Sequence, residues 1–153
     1  MDNSVRVLFE ANNVISLRTV YVLDDGRDVT FSINPALRSP PTTNIHKVEY
    51  GEWLKSCFVY LYRHTKSFAE EHGSAANSCS ADRDVRQMTF KEPPRFNVLW
   101  TDSGNSVALF LNGEPWAFFD EETCRGYSKG ILNAAAGNVW EHNLFKKTFG
   151  PYL

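Results

Sequence analysis

The chain has 153 residues, 42% of them apolar and 22% charged, with a formal net charge of -2. That length predicts a single domain, 1–153, able to bury about 68–70% of its unfolded surface without a metal or disulfide framework. Lys and Arg form no long block, the nearest being Lys146-Lys147, which excludes the clustered cations that non-specific nucleic-acid binding needs.

Val5, Val7 and Phe9 alternate with Arg6, Leu8 and Glu10, which predicts a first strand. From Ile15 to Leu23 the chain is apolar on both faces. Ile15, Leu17, Thr19, Tyr21 and Leu23 share one face, and Val20 and Val22 take the other, the pattern of a central or covered strand. Asp24-Asp25-Gly26 predicts a hairpin, since Asp and Gly tolerate positive φ. Val29, Phe31 and Ile33 form the return strand. Pro35, Pro40 and Pro41 predict a loop, because proline lacks the donor a ladder needs. Over 51–72, Leu54, Cys57, Phe58, Leu61, Thr65 and Phe68 recur at helical spacing, with Gly73 placed as a C-terminal cap. The run Cys57 to Tyr62 also suits a strand.

Residues 73–84, rich in Ser, Ala and Asn, read as a loop, and Val85 to Phe90 as a short strand ended by Pro93-Pro94. Phe96, Val98 and Trp100 then alternate, Asp102-Ser103-Gly104-Asn105 turns, and Ser106 to Leu111 runs extended. Asn112-Gly113 is the strongest short hairpin signal in the chain, and Glu114 to Asp120 returns. These strands predict an antiparallel meander. Asn138 is placed to cap a last helix, with Glu141 at the reciprocal capping-box position and Val139, Trp140, Leu144, Phe145 and Thr148 on its inner side. The expected fold class is α+β: an antiparallel sheet of about six to seven strands with two helices on one face.

From Val98 to Lys129 the features Trp100, Thr101-Asp102, Gly104, Leu109, Asn112, Pro115, Ala117, Asp120 and Arg125-Gly126-Tyr127 stand in order. This segment resembles an uncharacterised family of small bacterial proteins known only as a domain of unknown function, with a fainter echo in Val7-Leu8-Phe9-Glu10. Where that family carries a short acidic-Gly turn after its first strand, this chain has Ala11-Asn12-Asn13. The resemblance implies a bacterial, single-domain origin and carries over no catalytic residue.

No apolar run approaches the ~20 residues of a membrane span, and Met1-Asp2-Asn3-Ser4 opens no secretory leader. Three widely spaced cysteines, Cys57, Cys79 and Cys124, fit free thiols in a cytoplasm. His64 and His72 flank Glu70-Glu71, but two turns of helix would hold them ~12 Å apart along its axis, too far for one ion. No cofactor or metal is expected.

Asp120, Glu121, Glu122, Arg125, Tyr127 and Lys129, with Trp116 on the preceding strand, form the candidate partner-binding edge. Acids steer basic partners, and Tyr and Arg dominate interface energetics. Against this stands a solvated turn with a local Asp120–Arg125 pair, Tyr127 packed on the sheet and Trp116 covered by the last helix. The sequence expectation is a non-enzymatic protein-binding module, an immunity or inhibitor protein that sequesters a toxin or effector. The alternative is an enzyme or small-ligand sensor with a pocket near Asp102, Asp120, Arg125 and Tyr127.

Overall fold

The computed structural model describes residues 5–34, 58–65 and 84–153. The first sheet comprises β1 (Arg6–Asn12), β2 (Thr19–Asp24), β3 (Asp28–Asn34), β4 (Phe58–His64) and β5 (Gln87–Met88), in that spatial order. The second comprises β6 (Phe96–Trp100), β7 (Val107–Leu111), β8 (Glu114–Asp120), β9 (Arg125–Ser128) and β10 (Asn138–Val139), also as sequential neighbours. In each sheet the first four strands form an antiparallel meander and the fifth pairs parallel with the fourth. The two halves of the chain therefore share one connectivity without a visible sequence repeat.

The expected α+β class is corrected by this architecture, which is mostly β. Instead of one sheet with two helices there are two sheets of five strands. The described residues hold one helix, α1 (His142–Phe149), continued by a 3₁₀ turn over Gly150–Tyr152. Strand β4 lies inside the expected 51–72 helix. Positions 51–57 and 66–72 of that expectation, and the loops expected at 35–44 and 73–83, lie outside the described residues. The reason for the correction is pairing. Phe58 to Tyr62 is aromatic and β-branched, and pairing with β3 buries Val59, Leu61 and Tyr62, while β5 takes the other edge at Arg63 and His64. Partners distant in sequence outweigh the local helical spacing.

A second correction concerns the start of α1. Asn138 does not cap it. Asn138 pairs with Tyr127 in β10, and its Nδ2 donates to the Gly126 carbonyl at 3.1 Å. The helix begins at His142 with Glu141 as N-cap, and Phe145 and Phe149 are its buried residues.

The layers are sheet, sheet, helix. Between the sheets pack Val20, Val22, Phe31 and Leu61 from the first and Val107, Leu109, Ala117 and Phe119 from the second. The Phe31 and Phe119 rings meet at 5.0 Å. On the far face of the second sheet, Phe118 stacks on Tyr127 at 4.9 Å and meets Phe145 and Phe149, each at 5.8 Å. Covered on both faces, β7 and β8 need no polar alternation, which is why both read as continuous apolar runs.

Two local devices set the spacing. Trp116 is the extra residue of a β-bulge, since Leu109 pairs with Ala117 but Phe110 with Pro115. The bulge turns Trp116 toward the inter-sheet core, where its Nε1 donates to the Leu61 carbonyl at 2.9 Å. Gly130 lies directly against the Leu61 backbone, leaving no room for a Cβ. The hairpin at Asn112-Gly113 forms as its residues demand, both with positive φ, 51° and 85°.

Candidate docking end of the two sheets

Strands β1–β2, β6–β7 and β8–β9 all turn at one end of the molecule, and their three loops interlock. In the first, Asn13 Oδ1 accepts from the backbone N–H groups of Ile15 and Ser16, both at 2.9 Å, while Leu17 N–H donates to the Asn13 carbonyl at 2.9 Å. Gly104 of the second loop is packed so tightly against the Asn13 side chain that a Cβ there would collide with it. Arg18 Nε donates to Asn105 Oδ1 at 2.9 Å, and Asn105 Nδ2 and Ser103 Oγ donate to the Glu121 carboxylate at 3.4 and 3.2 Å. A continuous polar scaffold thus runs from the β1–β2 turn to the β8–β9 loop.

Asp120 roots the third loop. It is 3% exposed. One carboxylate oxygen accepts from the Thr123 N–H at 2.9 Å and the other from Thr148 Oγ1 of α1 at 3.2 Å. Ser106 Oγ accepts from the Glu121 N–H at 2.9 Å, and Cys124 Sγ donates to the Glu121 carbonyl at 3.4 Å. Glu121, Glu122, Thr123, Cys124 and Arg125 are left facing solvent. Glu122 meets Lys147 at 3.5 Å, with both side chains largely exposed. Among the described residues no ion pair engages Glu121, Asp102 or Arg125.

The residues expected at the partner edge therefore divide. Glu121, Glu122 and Arg125 share the exposed loop, with Asp120 beneath them. Tyr127 is 7% exposed, its ring in the layer under α1 and its hydroxyl donating to Thr123 Oγ1 at 3.0 Å. Trp116, 8% exposed, is also internal. Lys129 lies past the far end of β9, with its Nζ 4.7 Å from the Trp140 ring centroid and 3.1 Å from Glu114. Cover and length explain the division: Arg125, Tyr127 and Lys129 share one face at the strand's period of two, but the helix layer covers Tyr127 between them, and four residues of rise set Arg125 and Lys129 ~13 Å apart.

The four groups of the alternative pocket do not converge. Asp120 and Arg125 line a small pocket of ≈ 210 Å³ beside Arg18, Asn105 and Glu121. Asp102 and Asp120 line a separate cleft of ≈ 300 Å³ beside Lys147 and Tyr152. Tyr127 reaches neither.

Sequence reasoning missed the β1–β2 turn. Ile15 and Leu17 are not in a strand, which begins only at Thr19. Val14, Ile15 and Leu17 are 87%, 64% and 45% exposed. The available signal was the Asn12-Asn13 pair, since Asn side chains turn the backbone by accepting from it. His64 was also read differently. At the opposite end of β2, its Nε2 meets Asp24 Oδ1 at 3.0 Å in a cavity of ≈ 480 Å³ lined by Arg6, Tyr62, Met88 and Phe90. His72 lies outside the described residues. Burial raises the Asp24 carboxyl, but the Gly26 N–H, the His64 ring and Arg6 outweigh it and hold it below the usual value. Burial, with the Asp24 charge adding to it, pushes the Tyr62 hydroxyl up to about 12.

Fold and site together define a class: a two-sheet β architecture, covered by one helix, that presents a braced charged loop. No family model, curated protein or solved structure matches the chain. Among the described residues no helix is long and apolar enough to cross a membrane.

Proposed function

We propose that the chain is a non-enzymatic protein-binding module, a bacterial immunity or inhibitor protein that sequesters a toxin or effector in the cytoplasm. The observation that carries this reading is the loop from Asp120 to Arg125. Its backbone is braced from below by Asp120 and Ser106, while Glu121 and Arg125 face outward without an ion-pair partner among the described residues. A loop ordered before binding loses little conformational entropy on association. Unpaired charges on it steer a partner and punish a wrong one. The exposed free thiol of Cys124 suits a reducing compartment.

The enzyme alternative has weaker support, because its proposed groups are split between two pockets. A sensor in the aromatic layer under α1 is disfavoured by the ring packing around Phe118.

The test uses the tagged chain and its Glu121→Lys/Arg125→Glu variant as baits in the native cell. A protein held by the wild type and lost by the double variant is expected, and that protein should be toxic when the gene for this chain is deleted. No retained protein and no growth defect would overturn the proposal.

A further inference from the structure

The cavity at the far end of β2 from the charged loop contains a buried polar group with no partner among the described residues. Tyr62 and His64 stand two residues apart on β4 and so take the same face. Their rings meet edge to face at 5.7 Å, and the Phe90 ring closes on Tyr62 at 5.1 Å. Tyr62 is 2% exposed, yet among the described residues no hydrogen bond engages its hydroxyl. A buried tyrosine hydroxyl normally finds a partner, because leaving it unmet costs stability. Asp24, close by, is already filled. Its Oδ1 accepts from the Gly26 N–H at 2.8 Å and meets His64 Nε2 at 3.0 Å, and its Oδ2 accepts from Arg6 Nη2 at 3.2 Å. An ionised carboxylate only accepts, so His64 Nε2 carries the ring proton and Nδ1 of the neutral ring is an acceptor. Among the described residues no hydrogen bond engages that Nδ1. Tyr62, its hydroxyl pushed up to about 12, keeps its proton and stays a donor.

We infer that this cavity binds a small neutral molecule with an apolar body and one hydroxyl group, the hydroxyl accepting from Tyr62 Oη and donating to His64 Nδ1. A hydroxyl does both at a single oxygen, which matches one free donor and one free acceptor. The apolar body lies against Leu8, Met88 and Phe90, which line the same ≈ 480 Å³. That volume falls within the ~300–1,000 Å³ of small-molecule sites, and apolar walls with a few placed polar groups are their usual make-up. Water gains little there, since most of those walls offer it no hydrogen bond. The rim favours neither sign of charge. Arg6 is paired with Asp24, and Lys91 and Glu92 are neighbours in the lining. A ligand carboxylate would face the lone pair of His64 Nδ1 with the Asp24 charge behind it. A ligand ammonium would find the Asp24 oxygens occupied. This site goes beyond the docking function and uses no residue of the Asp120–Arg125 loop.

The experiment titrates the full chain, labelled with ¹³C at its methionine methyl groups, with p-cresol, toluene and benzoate. The chain has two methionines, so Met88 in the cavity wall is read against Met1. At neutral pH p-cresol should shift the Met88 methyl signal and bind about tenfold more tightly than toluene, as two added hydrogen bonds imply. Benzoate should bind more weakly than p-cresol. Tyr62→Phe keeps the ring and removes the hydroxyl. It should bring p-cresol close to toluene while leaving toluene binding unchanged, a split that a merely structural ring would not produce. The comparison of the three probes on the wild-type chain needs no variant to fold. No Met88 shift with p-cresol refutes the site. Equal binding of toluene and p-cresol refutes recognition of the hydroxyl, and tighter binding of benzoate refutes the neutral ligand. A full p-cresol preference retained by a folded Tyr62→Phe removes Tyr62 from the site and overturns the inference.

Discussion

Gly130→Ala probes the contact that holds the two sheets at their working distance. The added Cβ would overlap the Leu61 carbonyl oxygen and stand 2.5 Å from its carbonyl carbon, where ordinary contact begins at 3.4 Å. The obstacle is backbone, so no rotamer change relieves it, and β4 must move away by about 1 Å, which alone is enough to weaken the neighbouring hydrogen bond. The Trp116 Nε1 bond to the same carbonyl, now 2.9 Å, then breaks inside the core. Overpacking costs about 1–3 kcal/mol and an unsatisfied buried polar group about another 1–3. A loss of roughly 3 kcal/mol is a large share of the stability of an ordinary domain, and lowers a urea midpoint by about 1.5 M at a slope near 2 kcal/mol/M. Urea unfolding followed by tryptophan fluorescence reads this directly, with Gly113→Ala as the control. Gly113 has open space around it but φ +85°, so its Ala variant should lose only about 1 kcal/mol through backbone strain. If Gly130→Ala unfolds at the wild-type midpoint, the close crossing of β4 and the β9–β10 connection is wrong.

Other perturbations test the site. Leu17→Gly relieves a left-handed leucine, at φ 63°, and should stabilise the chain by about 0.5–1 kcal/mol, seen as a higher melting temperature; a lower one contradicts the turn geometry. Asp120→Ala removes the acceptor for Thr123 N–H and Thr148 Oγ1 and should cost about 1–3 kcal/mol. Amide exchange over 121–124 should accelerate, and unchanged protection would show that Asp120 does not brace the loop. The Asp24 carboxyl is held below its ordinary 3.8 when folded, so its charge stabilises the fold above that value. That contribution drains as pH falls through the lower folded value. Asp24→Asn should therefore flatten the fall in stability as pH drops below the ordinary carboxylate value, and an equally steep acid limb in the variant would sink the assignment. The Tyr62 hydroxyl, pushed up to about 12, should be the late component of an alkaline absorbance titration that Tyr62→Phe removes.

Local chemistry was legible wherever a residue constrains its own backbone. Asp24-Asp25-Gly26 and Asn112-Gly113 announced hairpins that form, because positive φ is a property of the residue and needs no distant partner. The meander from 96 to 120 followed from strands joined by the turn at Asp102-Ser103-Gly104-Asn105 and the hairpin at Asn112-Gly113. The charged loop was legible as a surface, since Glu121, Glu122 and Arg125 keep their solvation there. Its limits were not. Trp116 and Tyr127 looked like recognition residues, but a one-residue bulge and the cover provided by α1 place them inside.

The tertiary structure alone decided where the chain departs from local preference. Residues 58–64 carry both helical spacing and β-formers, and only the open edge of β3, with β5 pairing at Arg63 and His64, selects the strand. Ile15 and Leu17 carry the composition of a covered strand, and only Asn13, clasped by Gly104 from the other half of the chain, holds them out in water. The physical reason is range. Turn residues act through their own torsion angles, which the sequence determines one position at a time. Strand pairing and exposure depend on partners up to a hundred positions away, which only the assembled sheets bring into contact.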